Sequence, residues 1–469
     1  MKETGTRGII CVMVIGLVIG GVIGYLVSPR EVGKGDVVVS TLWRQCEGEG
    51  INVTMQDHPS TALILDHLPE FEEMTGITVE VDVLPWGTLI EKDFTDLSTG
   101  TGFYDVVNHP AKYTLAQYTK NDWIESLNDY LEDPTLTEYG YDYLDFFEPM
   151  RLLMEEPVWG EKGAIYGVPD YGETSICYYR TDIFEDKGLS EEDLETMEGV
   201  EEAAAICHNP PEVYGALMRG LREHAGCYMV GFFHMYGAEY VDKNWEPAFC
   251  TPEGIEALTH YTSILINCGP PGVTGYGFPE VHDTFRMGKI AILPVEASVW
   301  AGSFSASDSP VAGKYDVTFV PKGSVRSAPD LHAMALSINK DSAHKNAAWL
   351  FIQWATSKRI ERITTLEGRS DACRASTWND PQVVEYWESV GLGKLRQVVF
   401  ESFKMAKFPE PENPACQTFE PKFPEYLETR EYIGEAIGAV IMGDKTPEEA
   451  LDALAVHIRR ILGEAGYYE

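Results

Sequence analysis

The stretch Ile77–Leu84 alternates apolar Ile77, Val79, Val81 and Val83 with polar Thr78, Glu80 and Asp82. A period of two sends successive side chains to opposite faces, so this segment is a strand with one wetter face. Ahead of it, Leu63, Ile64, His67, Leu68 and Phe71 fall at helical spacing behind Ser60, a residue type that caps helix N-termini. Pro69 should bend that helix and Gly76 should end it. The β-branched run Asp36–Trp43 predicts a strand, followed by a polar, glycine-containing segment. Tyr104–Tyr113 reads as another strand that ends in a loop, with a helix after it. Strand, helix, strand, helix, strand is the order of an α/β lobe with a largely parallel sheet.

Further along, Ala164–Phe184 starts as a short strand and should break at Gly167 and Pro169. It then displays Tyr171, Gly172 and Glu173 on a kinked turn before the apolar run Ser175–Tyr179. Glu185–Pro210 is acidic and weakly periodic, a loop with short helix. Thr251 and Pro252 open a helix, and Gly288–Gly302 is a buried strand that should break at Pro294. Lys314–Gly323 and His332–Asp341 read as strands, and Ala347, Leu350, Phe351 and Trp354 form one helical stripe. Near the end, Thr446 and Glu449 make a capping box around Pro447, ahead of the stripe Leu451, Leu454, Ile458 and Ile461.

The N-terminus has a different pattern. From Ile9 to Val27 there is no charged residue, a run long enough to cross a bilayer as a helix. Lys2 and Arg7 precede it and would stay in the cytoplasm. No A-x-A-like cleavage site follows, and Cys11 sits at the start of the run, not after it, which favours an anchor over a cleaved signal. Residues 1–8 are then a cytoplasmic N-terminus, 9–27 an anchor (or signal segment) and 28–36 a tether, with the remainder on the outer face of the cytoplasmic membrane.

A chain of 469 residues is too long for one compact core and suits two lobes. A net charge of −38 repels phosphate backbones and excludes nucleic acid as a partner. None of the nine cysteines forms C-x-x-C, so a zinc or thioredoxin-type site has no support. Outside the apolar segment the cysteine number is even, which permits disulfides. Cys207 with Cys227 and Cys250 with Cys268 would close short loops, and free buried thiols are the alternative. Asn52-Val53-Thr54 is a glycosylation triplet of low specificity. There is no H-E-x-x-H, G-x-S-x-G, P-loop or G-x-G-x-x-G. The chain therefore reads as no enzyme, with no cofactor and no metal.

Aromatic residues do recur beside turns at strand ends: Trp43, Trp86, Tyr171, Trp300, and Phe232, Phe233, His234 and Tyr236 as a cluster. Ligands of α/β sheets bind beyond the carboxyl ends of strands. Sugars present C–H faces to rings and hydroxyls to charged or amide partners.

Several stretches in order now resemble one family. Phe71–Trp86, Tyr104–Leu131, Gly163–Glu185, Phe285–Gly302, Ser309–Gly323, Leu331–Ile360 and Ile433–Leu462 look like the extracellular solute-binding proteins of ABC transporters that handle sugars, the maltose-binding-protein-like group. The resemblance covers nearly everything from Asp36 to Leu462. It implies a type II periplasmic-binding-protein-like α/β fold of two hinge-linked lobes, residues 37–173 with 334–370 and residues 174–333 with 371–469. Gly167, Pro169 and Gly172 would form the hinge.

The resemblance also implies a ligand site made of Trp43 and Arg44 in the loop after the first strand, then Asn108, His109 and Lys112 in the loop after the third. Tyr171, Glu173, His234, Tyr236, Glu296 and Trp300 would join them, with Arg369 and Asp371 near the cleft. Glu296 and His109 depart from the family's usual residues, and the carboxylates of Glu173 and Glu296 would favour hydroxyl-rich or amino-bearing ligands. The implied function is an anchored monomeric receptor that binds a sugar, oligosaccharide or polyol and delivers it to ABC permease subunits served by a separate ATPase. A receptor for a polyamine or peptide is the alternative within this class. A tethered hydrolase or adhesion module is the alternative outside it.

Overall fold

A computed structural model describes residues 41–156, 163–405 and 421–468. Its strands, in chain order, are β1 Gly50–Gln56, β2 Thr78–Leu84, β3 Val106–Pro110, β4 Glu155–Glu156, β5 Ala164–Ile165, β6 Val168–Arg180, β7 Tyr214–Ala216, β8 Ile290–Ala297, β9 Tyr315–Thr318 and β10 Leu331–Ile338. β4 and β5 form a small separate hairpin. The others follow the order β2-β1-β3-β10-β6-β8-β7, with β9 also on β6.

The first strand is not where the β-branched run predicts it. Residues 36–40 of that run lie outside the described residues, and Thr41–Gly48 is a series of turns. The polar-looking segment after it forms β1 instead. Ile51, Val53 and Met55 are buried on one face, and β1 pairs with β2 in parallel along its whole length. Its polar residues are satisfied: Thr54 donates to Asp93 at 2.8 Å, and Asn52 to the Phe103 carbonyl at 3.1 Å. Pro69 does more than bend the next helix; two helices result, Pro59–Asp66 and Leu68–Thr75. Gly76 ends the second with φ 72°, the left-handed conformation glycine takes without strain. The cap of the first is His58, whose side chain accepts from the Ser60 N–H.

β6 is the element that joins the lobes. The expected short strand and break at Gly167 are present as β5 and the residues after it, but from Val168 to Arg180 the strand is unbroken, with no turn at Tyr171–Glu173. Its first half, to Thr174, pairs with β10, and from Ser175 onward it pairs with β8 and β9. The expected breaks at Pro169 and Pro294 are absorbed as bulges. Pro169 and Tyr171 face Ala335 and Met334, which leaves Asp170 as the extra residue. Ile176 and Tyr178 face Glu296 and Leu293, which leaves Pro294 and Val295 against Cys177. A bulge tolerates proline because the ladder hydrogen bond is already lost there.

Between Glu185 and Pro210 there is more helix than weak periodicity predicts. Thr196 caps the helix Met197–Cys207, which buries Val200, Ala203, Ala204 and Cys207. The capping box of Thr446 and Glu449 forms at the head of Pro447–Glu464. Cys207, Cys227, Cys250 and Cys268 are free thiols, so neither expected disulfide exists. Among the described residues no helix is long and apolar enough to cross a membrane. The expected span at 9–27 lies outside the described residues.

Candidate functional site

A cavity of about 220 Å³ lies where the two lobes meet. The first lobe supplies Gln56 and His58 at the end of β1, Trp86 in the helix after β2, and Lys112 and Tyr113 in the helix after β3. All of these follow the carboxyl ends of parallel strands, where open α/β sheets place their ligands. β6 supplies Tyr171 and Glu173 from one face, and Asp330 and His332 stand at the start of β10. The second lobe contributes Arg219 after β7, Tyr228 from the helix Arg222–Tyr236, Phe278 from Phe278–Arg286 and Arg430 from Tyr426–Ile441.

Arg219 is the centre of the second-lobe wall. It is buried and paired with the fully buried Glu296, one Nη contacting Oε1 and Nε donating to Oε2 at 3.3 Å. Tyr228 Oη closes the triangle by donating to Glu296 Oε1 at 2.9 Å. The guanidinium lies between the rings of Tyr228 and Phe278, at 4.5 and 4.6 Å. Both charges are thus held by fixed partners, the condition under which a buried pair is tolerated. His224, alongside, accepts from the Phe278 N–H through Nδ1 at 3.0 Å. Burial, with Arg219 and Arg430 adding, pushes its imidazole down to about 4.

On the first-lobe side, His58 and Tyr171 stack in parallel with centroids 4.1 Å apart. Tyr171 Oη donates to Gln56 Oε1 at 2.6 Å, and the Gln56 N–H donates to Asn108 Oδ1 at 3.0 Å. Lys112, buried, reaches both oxygens of Asp330 at 3.0 and 2.8 Å. Glu173 Oε2 is buried with no hydrogen-bond partner among the described residues. Burial pushes the Glu173 carboxyl up to about 8; Arg219 opposes the shift, while Asp371, Glu296 and Asp330 reinforce it. At neutral pH the group is largely a neutral acid that can donate through one oxygen and accept through the other. His332 is held well below its usual range by burial first, with Lys112 and Arg430 adding.

The lobes touch through Arg430. Its guanidinium, from the second lobe, lies 5.8 Å from the Trp86 ring and 4.9 Å from the Tyr113 ring of the first. Two glycines set its position. A Cβ on Gly226 would come within 2.8 Å of the Arg430 carbonyl, and one on Gly434 within 1.9 Å of the Arg222 carbonyl. Only bare backbone lets these two helices cross so closely.

Of the residues expected at the site, Lys112, Tyr171 and Glu173 line the cavity. Lys112 does so from a helix, because Ala111–Lys120 starts directly after β3 with no loop between. Asn108 and Glu296 stand one layer behind, holding Gln56 and Arg219. Arg369 and Asp371 form a buried pair at 2.6 Å beneath His58, with Asp371 also accepting from Ser60. Trp300 packs behind the wall against Phe278 and His282, at 4.4 and 3.9 Å.

The other expected residues are elsewhere. His109 is fully buried between Thr114 and Ser337, at 2.7 and 2.8 Å. His234 and Tyr236 are buried in their helix, away from the cavity lining. Trp43 and Arg44 lie in the turns before β1, where Arg44 pairs with Glu47 at 2.7 Å. Their displacement follows from the shifted first strand. Gln56, His58 and Arg219 were missed for a related reason: Gln56 and His58 end and follow β1, the strand placed too early, and Arg219 follows β7, only three residues long. Arg430 lies in the middle of a helix and has no local signal at all.

A family model described as bacterial extracellular solute-binding protein matches residues 57–361. A mannitol-binding protein of Pseudomonas aeruginosa is 30% identical over 417 residues, which cover 85% of this chain and 89% of that one. A solute-binding protein of Agrobacterium vitis, solved with bound D-mannitol, superposes with a TM-score of 0.78 at 25% identity, covering 90% of this chain and all of that one. One from Agrobacterium radiobacter, in complex with ribitol, has a TM-score of 0.75 at 26% identity, covering 89% and 99%.

Proposed function

The chain belongs to the bacterial extracellular solute-binding protein family, and from that premise we propose that it is the receptor of an ABC importer for a small polyol or monosaccharide. The observation that carries the reading is the cavity itself, about 220 Å³, walled by ring faces and by charged groups already fixed in place. Pockets for drug-sized ligands run from roughly 300 Å³ upward, so this one suits a single ring or a short open chain and not an oligosaccharide. Trp86, Tyr113, Tyr171 and Tyr228 offer faces to C–H groups. Lys112, Asp330, Glu173 and Arg219 offer hydrogen bonds to hydroxyls. Binding would favour the closed arrangement by contacts made to both lobes at once.

The charge balance argues against a polyamine. Asp330 is held by Lys112 and Glu296 by Arg219, while Glu173 is largely neutral, so the carboxylates here are already matched or uncharged. The apolar residues 9–27 would keep the receptor at the outer face of the cytoplasmic membrane beside its permease.

Titration calorimetry of the purified full-length chain in detergent, with D-mannitol, ribitol, erythritol, galacturonate, maltose and spermidine, tests the assignment. Saturable binding of a four- to six-carbon polyol or a monosaccharide is expected. Binding of galacturonate, spermidine or maltose alone would overturn it.

A further inference from the structure

Tyr426 and Arg430 are four residues apart, so they share one face of the helix Tyr426–Ile441. That face meets the first lobe at the helix Ala111–Lys120. Tyr426 stacks on Tyr113, with centroids 6.2 Å apart and 4° between planes. The Arg430 guanidinium lies 4.9 Å from the same ring and 5.8 Å from that of Trp86. Trp86 meets Tyr113 edge-on at 6.1 Å, so the two first-lobe rings form a corner around the cation. At the far end of the first-lobe helix, Lys120 reaches Glu425 at 3.4 Å. One helix of the second lobe is thus docked on one helix of the first, apart from the strand β6 that joins the lobes along the chain.

These contacts are unequal. Lys120 is exposed, and an ion pair in water contributes little. Arg430 is buried, and a cation over a ring gains most where water is kept away. Its own lobe aims it. A Cβ on Gly226 would come within 2.9 Å of Arg430 Cγ, so the stem runs over bare backbone and only the head crosses to the other lobe. Cys227 Sγ accepts from one Nη and steadies that head. Arg430, Trp86 and Tyr113 also line the cavity. The rings that face the solute space are therefore the rings that hold the cation of the opposite lobe.

We propose that Arg430 is a positioning residue that latches the lobes, its guanidinium closing on the corner of Trp86 and Tyr113 and so holding both walls around a bound solute. Opening the lobes draws the guanidinium off two rings before the solute can leave. A solute entering between open lobes meets no such contact. Arg430 therefore retains the solute and does not help it to arrive, which puts its effect in the dissociation rate. The solute half of this rests on the receptor reading above; the docking of the two helices does not.

Arg430→Met keeps the stem over Gly226 and removes the charge. Stopped-flow mixing of the full-length chain in detergent with D-mannitol should show koff raised about tenfold in this variant and kon not lowered. Arg430→Lys keeps a cation over the rings and should recover most of the loss. In a Tyr113→Leu background the Arg430→Met change should raise koff by no more than about threefold, because the nearer ring is gone. Arg222→Ala breaks pairs inside the second lobe, with Glu431 and Glu435 of the same helix at 3.0 and 2.8 Å, and should leave both rates unchanged. Without solute, hydrogen exchange over Ala111–Lys120 should quicken about tenfold in Arg430→Met and not in Arg222→Ala. Quickened exchange with no binding of D-mannitol, ribitol or erythritol would support the latch and count against the receptor reading. Unchanged exchange, or a lowered kon at unchanged koff, would overturn the latch. So would the full tenfold effect in the Tyr113→Leu background, which would mean that Arg430 bonds to the solute itself.

Discussion

Glu173→Gln replaces a buried carboxyl with a neutral amide of nearly the same shape, and its effect should depend on pH. The native state raises the affinity of Glu173 for its proton, from 4.5 to about 8, chiefly by burial. The folded chain therefore holds that proton over a range in which the unfolded chain releases it. Stability from this group is fully present below 4.5 and is lost as pH rises towards 8. The loss runs at ~1.4 kcal/mol per pH unit, a ceiling of ~5 kcal/mol over the interval. Water entering the cavity takes up part of this, so about 2–3 kcal/mol should remain at pH 8. At roughly 1 °C per kcal/mol for a chain of this size, the variant should melt about 2–3 °C above the parent at pH 8 and level with it below pH 5. Differential scanning calorimetry of both proteins between pH 4.5 and 8.5 reads this gap. Asp170, pushed up to about 7, has the same sign but is present in both chains and cancels in the difference. A gap that does not open with pH, or a variant less stable at pH 8, would show that Glu173 is ionised and already satisfied, and the reasoning would fail.

Arg219→Ala should cost about 3–5 kcal/mol in urea unfolding, because Glu296 would be left buried without its cation; a loss under 1 kcal/mol would refute the pairing. Gly434→Ala sets a methyl against the Arg222 carbonyl and should cost about 3 kcal/mol while weakening solute binding, since Arg430 must shift with its helix. Unchanged solute affinity in that variant would uncouple the crossing from the cavity. Thr446→Ala should cost about 1 kcal/mol by removing the capping box, read from the urea midpoint. Adding a reductant should leave the melting temperature unchanged, because the described cysteines are free; a drop would expose a disulfide.

The fold was legible where each residue pattern had one reading. Ile77–Leu84 alternates, and β2 follows it almost to the residue; Thr446 and Glu449 announced the last helix. β1 alternates Ile51, Val53 and Met55 with Asn52, Thr54 and Gln56, but the more continuous β-branched run just before it drew the assignment. Pro169 and Pro294 read as breaks because sequence alone does not show that a neighbouring strand will accept a bulge. Tyr171 and Glu173 do line the cavity, but from the middle of the unbroken strand β6 and not from the kinked turn the sequence showed. Trp300, Glu296 and Asn108 have the right chemistry but stand one layer back, a distinction set by which residue of a strand end points inward.

The triangle of Arg219, Glu296 and Tyr228 is made wholly of the protein's own bonds. A donor already held by two partners cannot turn to meet a hydroxyl in the wrong configuration. If the solute is the polyol proposed, such a cradle would read stereochemistry: two polyols of equal length and formula, differing at one carbon, would present the same number of hydroxyls to it but not the same directions. One would pair along its length, and its epimer would leave a polar group facing a ring, a mismatch that a flexible wall would forgive and a fixed one would not. Selection among isomers would then follow from bonds the protein makes with itself.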